Sequence, residues 1–68
     1  MAVAAFQYLM EYRILKACEL LLKSKDDSIS NIAFQVGFNG TSYFGRVFKK
    51  YMKCTPSEYR SRYLKYYK

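Results

Sequence analysis

Sixty-eight residues make one small domain at most, and a chain of this length buries only about 60% of its unfolded surface. Hydrophobic residues make up 51% and aromatics 19%, with one Pro and three Gly, which excludes a disordered tail. The net charge is +7, with two Cys and no His, so a zinc site has no ligand cluster to draw on.

Residues from about Ala5 to Lys23 predict a long helix, uninterrupted by Gly or Pro and rich in helix formers. Phe6, Met10, Ile14, Ala17 and Leu21 recur at helical spacing as one apolar stripe. Leu15, Cys18 and Leu22 make a second stripe on another side. A helix apolar on two sides sits between two partners. The rest of this chain covers one; the other calls for a further unit or for self-association through Leu15, Cys18 and Leu22.

Ser24 to Asp27 is a polar turn. Ser28 fits the N-cap of the next helix with Asn31 at N3, and Ser30 is a second candidate for that cap. Ile29, Ile32, Ala33 and Val36 supply the buried face, and Gly37 suits the left-handed residue that ends a helix. Phe34 and Phe38 are expected in the core, because the turn needs apolar filling. Asn39-Gly40 breaks the chain. Such a pair also opens hairpins, but its flanks have helical periodicity.

A third helix is expected from about Thr41 to Tyr51. Phe44, Val47, Phe48 and Tyr51 form its core stripe, and Ser42, Gly45, Arg46 and Lys49 recur at the same spacing on another face. Gly45 costs roughly 1 kcal/mol of helix propensity relative to Ala, a cost usually tied to close approach of another surface. Thr55, Pro56 and Glu58 then read as N-cap, first helical residue and capping box of a closing helix. In it Tyr59 and Tyr63 pack inward, Arg60, Arg62 and Lys65 stay wet, and the end at Tyr66-Tyr67-Lys68 frays. Residues 55–63 also echo residues 4–12 when Tyr59 is laid on Tyr8.

The charge is unevenly placed. Residues 1–27 hold four basic against four acidic side chains. Residues 28–68 hold Arg46, Lys49, Lys50, Lys53, Arg60, Arg62, Lys65 and Lys68 against Glu58 alone, so the whole excess of +7 lies there. A polyanionic partner is the natural inference; a solvated basic surface is the bland alternative. Arg46 is the leading base-contact candidate, since Arg bonds bidentately to guanine O6 and N7; phosphate contact and plain exposure remain open to it. Lys49, Lys50 and Lys53 suit phosphates, with a solvated face as the alternative. Asn31 at a helix N-terminus suits a phosphate or capping alone. Tyr43 either completes the core, the favoured reading, or meets a thymine methyl.

Nothing supports an enzyme. There is no His, Glu58 is explained as a cap, and Asp26 and Asp27 sit side by side in a turn. No cofactor is implied. Glu11 and Arg13 interrupt the only candidate signal or membrane segment, and reduced, structural thiols in a cytoplasmic protein are the default for Cys18 and Cys54.

One long pattern is more specific than any of these features. It comprises Ile29, Ile32, Ala33, Val36, Gly37, Phe38, Ser42, Tyr43, Phe44, Arg46, Phe48, Lys49, Lys50, Tyr51, Thr55, Pro56, Ser57, Glu58, Tyr59 and Arg60. Upstream it continues through Tyr8, Leu9, Tyr12, Arg13, Ile14, Ala17, Leu20 and Leu21. Over roughly residues 6–64 the chain resembles the AraC/XylS family of bacterial transcription regulators. The resemblance implies an all-α, homeodomain-like helix-turn-helix fold of about four helices. Residues 1–27 would be the linker helix and turn, and residues 28–68 the second helix-turn-helix unit with its closing helix; the family's first unit is not matched. It further implies double-stranded DNA as partner, and Thr41, Ser42 and Gly45 facing the groove with Arg46. The rival reading is a helical interaction or dimerisation module that uses the free face of helix 5–23 to pair with a second copy or to dock on RNA polymerase or a missing domain.

Overall fold

A computed structural model describes residues 2–66, with side chains from Gln7 onward. Four helices follow one another: α1 (Ala2–Lys23), α2 (Ile29–Gln35), α3 (Thr41–Met52) and α4 (Pro56–Tyr63), with a short 3-10 turn at Leu64–Tyr66. No strand occurs among the described residues. α1 begins three residues earlier than its periodicity suggests. At about 1.5 Å per residue its 22 residues make a rod some 33 Å long, against which α2, α3 and α4 all pack.

The core is one cluster. Met10, Ile14, Ala17, Cys18 and Leu21 of α1 meet Ile32, Ala33, Val36, Phe38, Phe44, Phe48 and Cys54. Phe44 and Phe48 have no exposure at all, and each such side chain contributes about 1.5–3 kcal/mol relative to leaving it exposed. The aromatic rings form a continuous line: Tyr43 to Phe38, Phe38 to Phe44, Phe44 to Phe48, Phe48 to Tyr59 and Tyr59 to Tyr63, with centroids 4.9–5.7 Å apart. Tilted and edge-on pairs at this range add to plain burial.

Capping follows the sequence closely. Ser28 Oγ accepts from the Asn31 amide at 3.0 Å. Thr55 Oγ1 accepts from the Glu58 amide at 3.1 Å, while Glu58 Oε1 accepts from the Thr55 amide at 2.9 Å. α2 ends in a Schellman turn: Phe38 N–H reaches the Ala33 carbonyl, Gly37 N–H reaches Phe34, and Gly37 takes φ 96°. α3 ends differently, on Lys53 at φ 68°. Ser30 is not a cap; its hydroxyl accepts from Thr41.

Five expectations need correction. Cys18 is buried, not on a free face, because it lies one i+4 step from Ile14 and so joins the same core stripe. Leu22 is half-buried, leaving Leu15 as the exposed member of the second stripe. Phe34 is 56% exposed: the Schellman turn is filled by Phe38, and Phe34 falls on the outer side of α2 with Asn31. Tyr63 is exposed at the end of the aromatic line. Arg60 does not stay wet. Its guanidinium binds three backbone carbonyls: Nε to Leu21 at 2.8 Å, Nη1 to Asp27 at 2.7 Å and Nη2 to Ser24 at 3.1 Å. These are carbonyls at and just past the C-terminus of α1, where intrahelical donors run out. The side chain of Phe6 lies outside the described residues, as do Tyr67 and Lys68.

Cys18 and Cys54 are free thiols, both buried. Burial pushes the Cys18 thiol above its ordinary pKa, which keeps it protonated and inert.

Candidate nucleic-acid interface

α3 is amphipathic in a functional sense. Phe44 and Phe48 are sealed, Val47 and Tyr51 are half-buried, and Ser42, Tyr43, Arg46, Lys49 and Lys50 are exposed. The helix is held at its start by two contacts. Thr41 Oγ1 donates to Ser30 Oγ of α2 at 2.9 Å, and Phe38 in the preceding turn packs on Phe44 with centroids 5.3 Å apart. The outer face is therefore presented from an immobilised first turn.

The expected contact residues do not all lie together. Ser42, Arg46 and Lys49 share the outer face, with Lys50 beside them. Thr41 lies toward α2, its hydroxyl hydrogen committed to Ser30. A Cβ built on Gly45 would meet no atom within 4 Å, so nothing among the described residues explains the glycine. Asn31 stands apart on α2: its side-chain amide donates to Asp27 Oδ1 at 2.8 Å, and Gln35 donates to the other carboxylate oxygen at 2.9 Å. A phosphate at Asn31 would compete with that carboxylate.

Arg46, Lys49, Lys50, Lys53, Arg62 and Lys65 are all exposed. Among the described residues of α3 and α4 they are opposed by Glu58 alone. The Thr55 amide and hydroxyl hold that carboxyl below its ordinary pKa, and Lys49 and Arg62 assist from a distance. Arg60 is withdrawn from this surface by its carbonyl partners. Lys50 also borders a cleft formed with Gln7, Tyr8 and Glu11 of α1. Along α1 the surface changes in character from that cleft onward. Tyr8, Leu9, Tyr12 and Leu15 expose a strip of apolar and aromatic surface along α1.

Arg60 escaped the sequence reading: it looks like any other basic residue of α4, and nothing in its neighbours announces three carbonyl partners. Tyr43, for which the core was the favoured reading, is 45% exposed; the usable signal was that it lies seven residues before Lys50 and so shares its side of α3.

The helix-turn-helix domain model matches residues 1–62. The chain belongs to this family, in its AraC-type branch. The AraC-type domain is 44% identical over 59 residues to the HTH-type transcriptional activator RhaR of Mannheimia succiniciproducens, covering 87% of this chain and 21% of that protein. It is 45% identical over 49 residues to the transcriptional activator PerA of Escherichia coli O127:H6, covering 72% of this chain and 18% of PerA. It is also similar to a histidine kinase P4 of Formosa agariphila, 40% identical over 57 residues, 84% of this chain and 4% of the kinase. The AraC-type domain thus spans between 4% and 21% of the length of these curated relatives. No solved structure matches it.

Proposed function

We propose that this chain is a DNA-binding part of a bacterial transcription regulator, with α3 entering the major groove. The observation that carries the reading is the division of α3 into a sealed face, Phe44 and Phe48, and an exposed cationic and hydroxyl face, Ser42, Arg46 and Lys49. A recognition helix needs both, one to fix its pose and one to meet the groove. Arg46 and Ser42 meet base edges, with Thr41 and Gly45 along the near flank. Lys49, Lys50 and Lys53 meet phosphates, and Asn31 does so only by giving up Asp27. The domain has no catalytic role of its own and acts in the cytoplasm, where its DNA is. No helix among the described residues is long and apolar enough to cross a membrane.

Residues 1–27 act as linker helix and turn, and residues 28–68 as a second helix-turn-helix unit. The exposed strip of Tyr8, Leu9, Tyr12 and Leu15 favours a covering partner, which we take to be a first unit of the parent protein. Self-association and docking on RNA polymerase are the alternatives. Size-exclusion chromatography at two concentrations separates the first of these: a dimer that forms on concentration would replace the covering unit with a second copy.

The test of DNA reading is a random-oligonucleotide selection with this chain and with its parent protein. An enriched motif is expected, with log affinity falling linearly in log salt at about 0.9 per phosphate contacted. Failure of both proteins to enrich any sequence would overturn the proposal.

A further inference from the structure

We propose that Tyr43 reads a thymine methyl group, acting as a specificity residue beside Arg46. The proposal rests on the reading that α3 enters the major groove, and it adds a base preference to that site.

Tyr43 is the third residue of α3 and is 45% exposed, while Phe44 next to it is sealed. At 3.6 residues per turn, Tyr43 lies about 60° around the axis from Arg46, and Lys50 lies almost directly above it, two turns on. Tyr43 therefore belongs to the outer face and not to the core stripe. Its ring is also held in place. The centroid lies 5.7 Å from that of Phe38, inclined at 58°, and Phe38 is itself only 2% exposed. A ring braced on a buried ring keeps little freedom to lose on binding, which lowers the entropic cost of using it as a contact.

Position decides what that contact is. Recognition helices present their N-terminal residues to base edges, and Tyr43 sits in the first turn. A base edge offers an aromatic ring one apolar feature in the major groove, the C5 methyl of thymine. Phosphate contact falls to the lysines further along α3, which carry the charge for it. Across the helix, Gly45 leaves the backbone bare at its own position, so no side chain there holds the helix off the bases.

The chemical test deletes the methyl rather than the protein. In the site selected by the wild-type chain, each thymine is replaced in turn by deoxyuridine, and binding is measured for wild type, Tyr43→Phe and Tyr43→Ala. One buried methyl is worth about 0.8 kcal/mol, or about fourfold in affinity. Wild type and Tyr43→Phe should lose about fourfold at one thymine position, and Tyr43→Ala should lose little there. An equal deoxyuridine effect in Tyr43→Ala, or none in wild type, would overturn the assignment to Tyr43 while leaving DNA reading intact. If the wild-type chain selects no sequence, the groove reading fails first and Tyr43 with it. Helicity and melting of Tyr43→Ala are recorded alongside; if that variant is unfolded, Tyr43→Ser and Tyr43→Gln decide by the same loss or retention of the deoxyuridine effect.

Discussion

Arg60 Nη1 donates to the Asp27 carbonyl at 2.7 Å, joining the closing helix to the turn that launches α2. The side chain of Asp27 in turn accepts from Asn31 and Gln35 of α2, and Ser30 of α2 accepts from Thr41 at the start of α3. A single guanidinium thus braces the turn before α2, and α2 in turn holds the first residue of α3. Arg60→Lys keeps the charge but not the planar fork. It should lower stability by about 1.5–3 kcal/mol, the range for a hydrogen bond to a charged group. Denaturant unfolding measures this, and a salt titration of DNA binding with the uncharged Arg60→Gln should show an unchanged slope. A reduced slope would return Arg60 to the DNA surface.

Arg46 has no such partners among the described residues, and it is exposed. Arg46→Ala should weaken binding to the selected site by about 1–3 kcal/mol and relax preference at one position. Competition binding against single-base variants of the site distinguishes the outcomes. Uniform weakening on every sequence would make Arg46 a phosphate contact.

Gly45 sits in the middle of α3 with open space where a Cβ would go. Gly45→Ala should therefore stabilise the fold by roughly 0.5–1 kcal/mol. If the bare backbone admits close approach to DNA, the same variant binds more weakly. Thermal melts and binding isotherms on one preparation give both numbers, and a stabilised variant with full affinity would show that the glycine has no part in the interface.

Lys53 closes α3 in the left-handed region at φ 68°, which is strained for a residue with a Cβ. Lys53→Gly should raise stability by about 0.5 kcal/mol, the relief of strain being partly offset by a freer unfolded chain. If Lys53 holds a phosphate, the salt slope of binding falls by about one. A more stable variant with an unchanged slope would remove Lys53 from the DNA surface.

Glu58 is held below its ordinary pKa of 4.5, first by the Thr55 amide and then by the Thr55 hydroxyl. A depressed carboxyl favours the folded state above the unfolded pKa, and that contribution disappears as pH falls through the folded value. Wild-type stability should fall below about pH 4.5 more steeply than that of Glu58→Gln, which keeps a capping oxygen but cannot titrate. Parallel acid limbs in a series of melts would mean that the cap does not depend on charge.

The helices of this protein, and the division of α3 into two faces, are legible in the sequence because they are local. The Ser28 and Thr55 caps, the left-handed Gly37 and the stripe of Phe44 and Phe48 depend on residues within a few positions of one another, and the structure reproduces them. Where a side chain's fate depends on a distant element, the sequence alone misassigns it. Cys18 is buried with Cys54 and the ring of Tyr59 within one core, not on a free face. Phe34 is left outside because Phe38 takes the space in the turn. Arg60 leaves the basic surface because three carbonyls at the end of α1, 33 to 39 residues earlier in the chain, accept its protons. Periodicity fixes which way a residue points from its own helix; only packing decides whether another helix is waiting there.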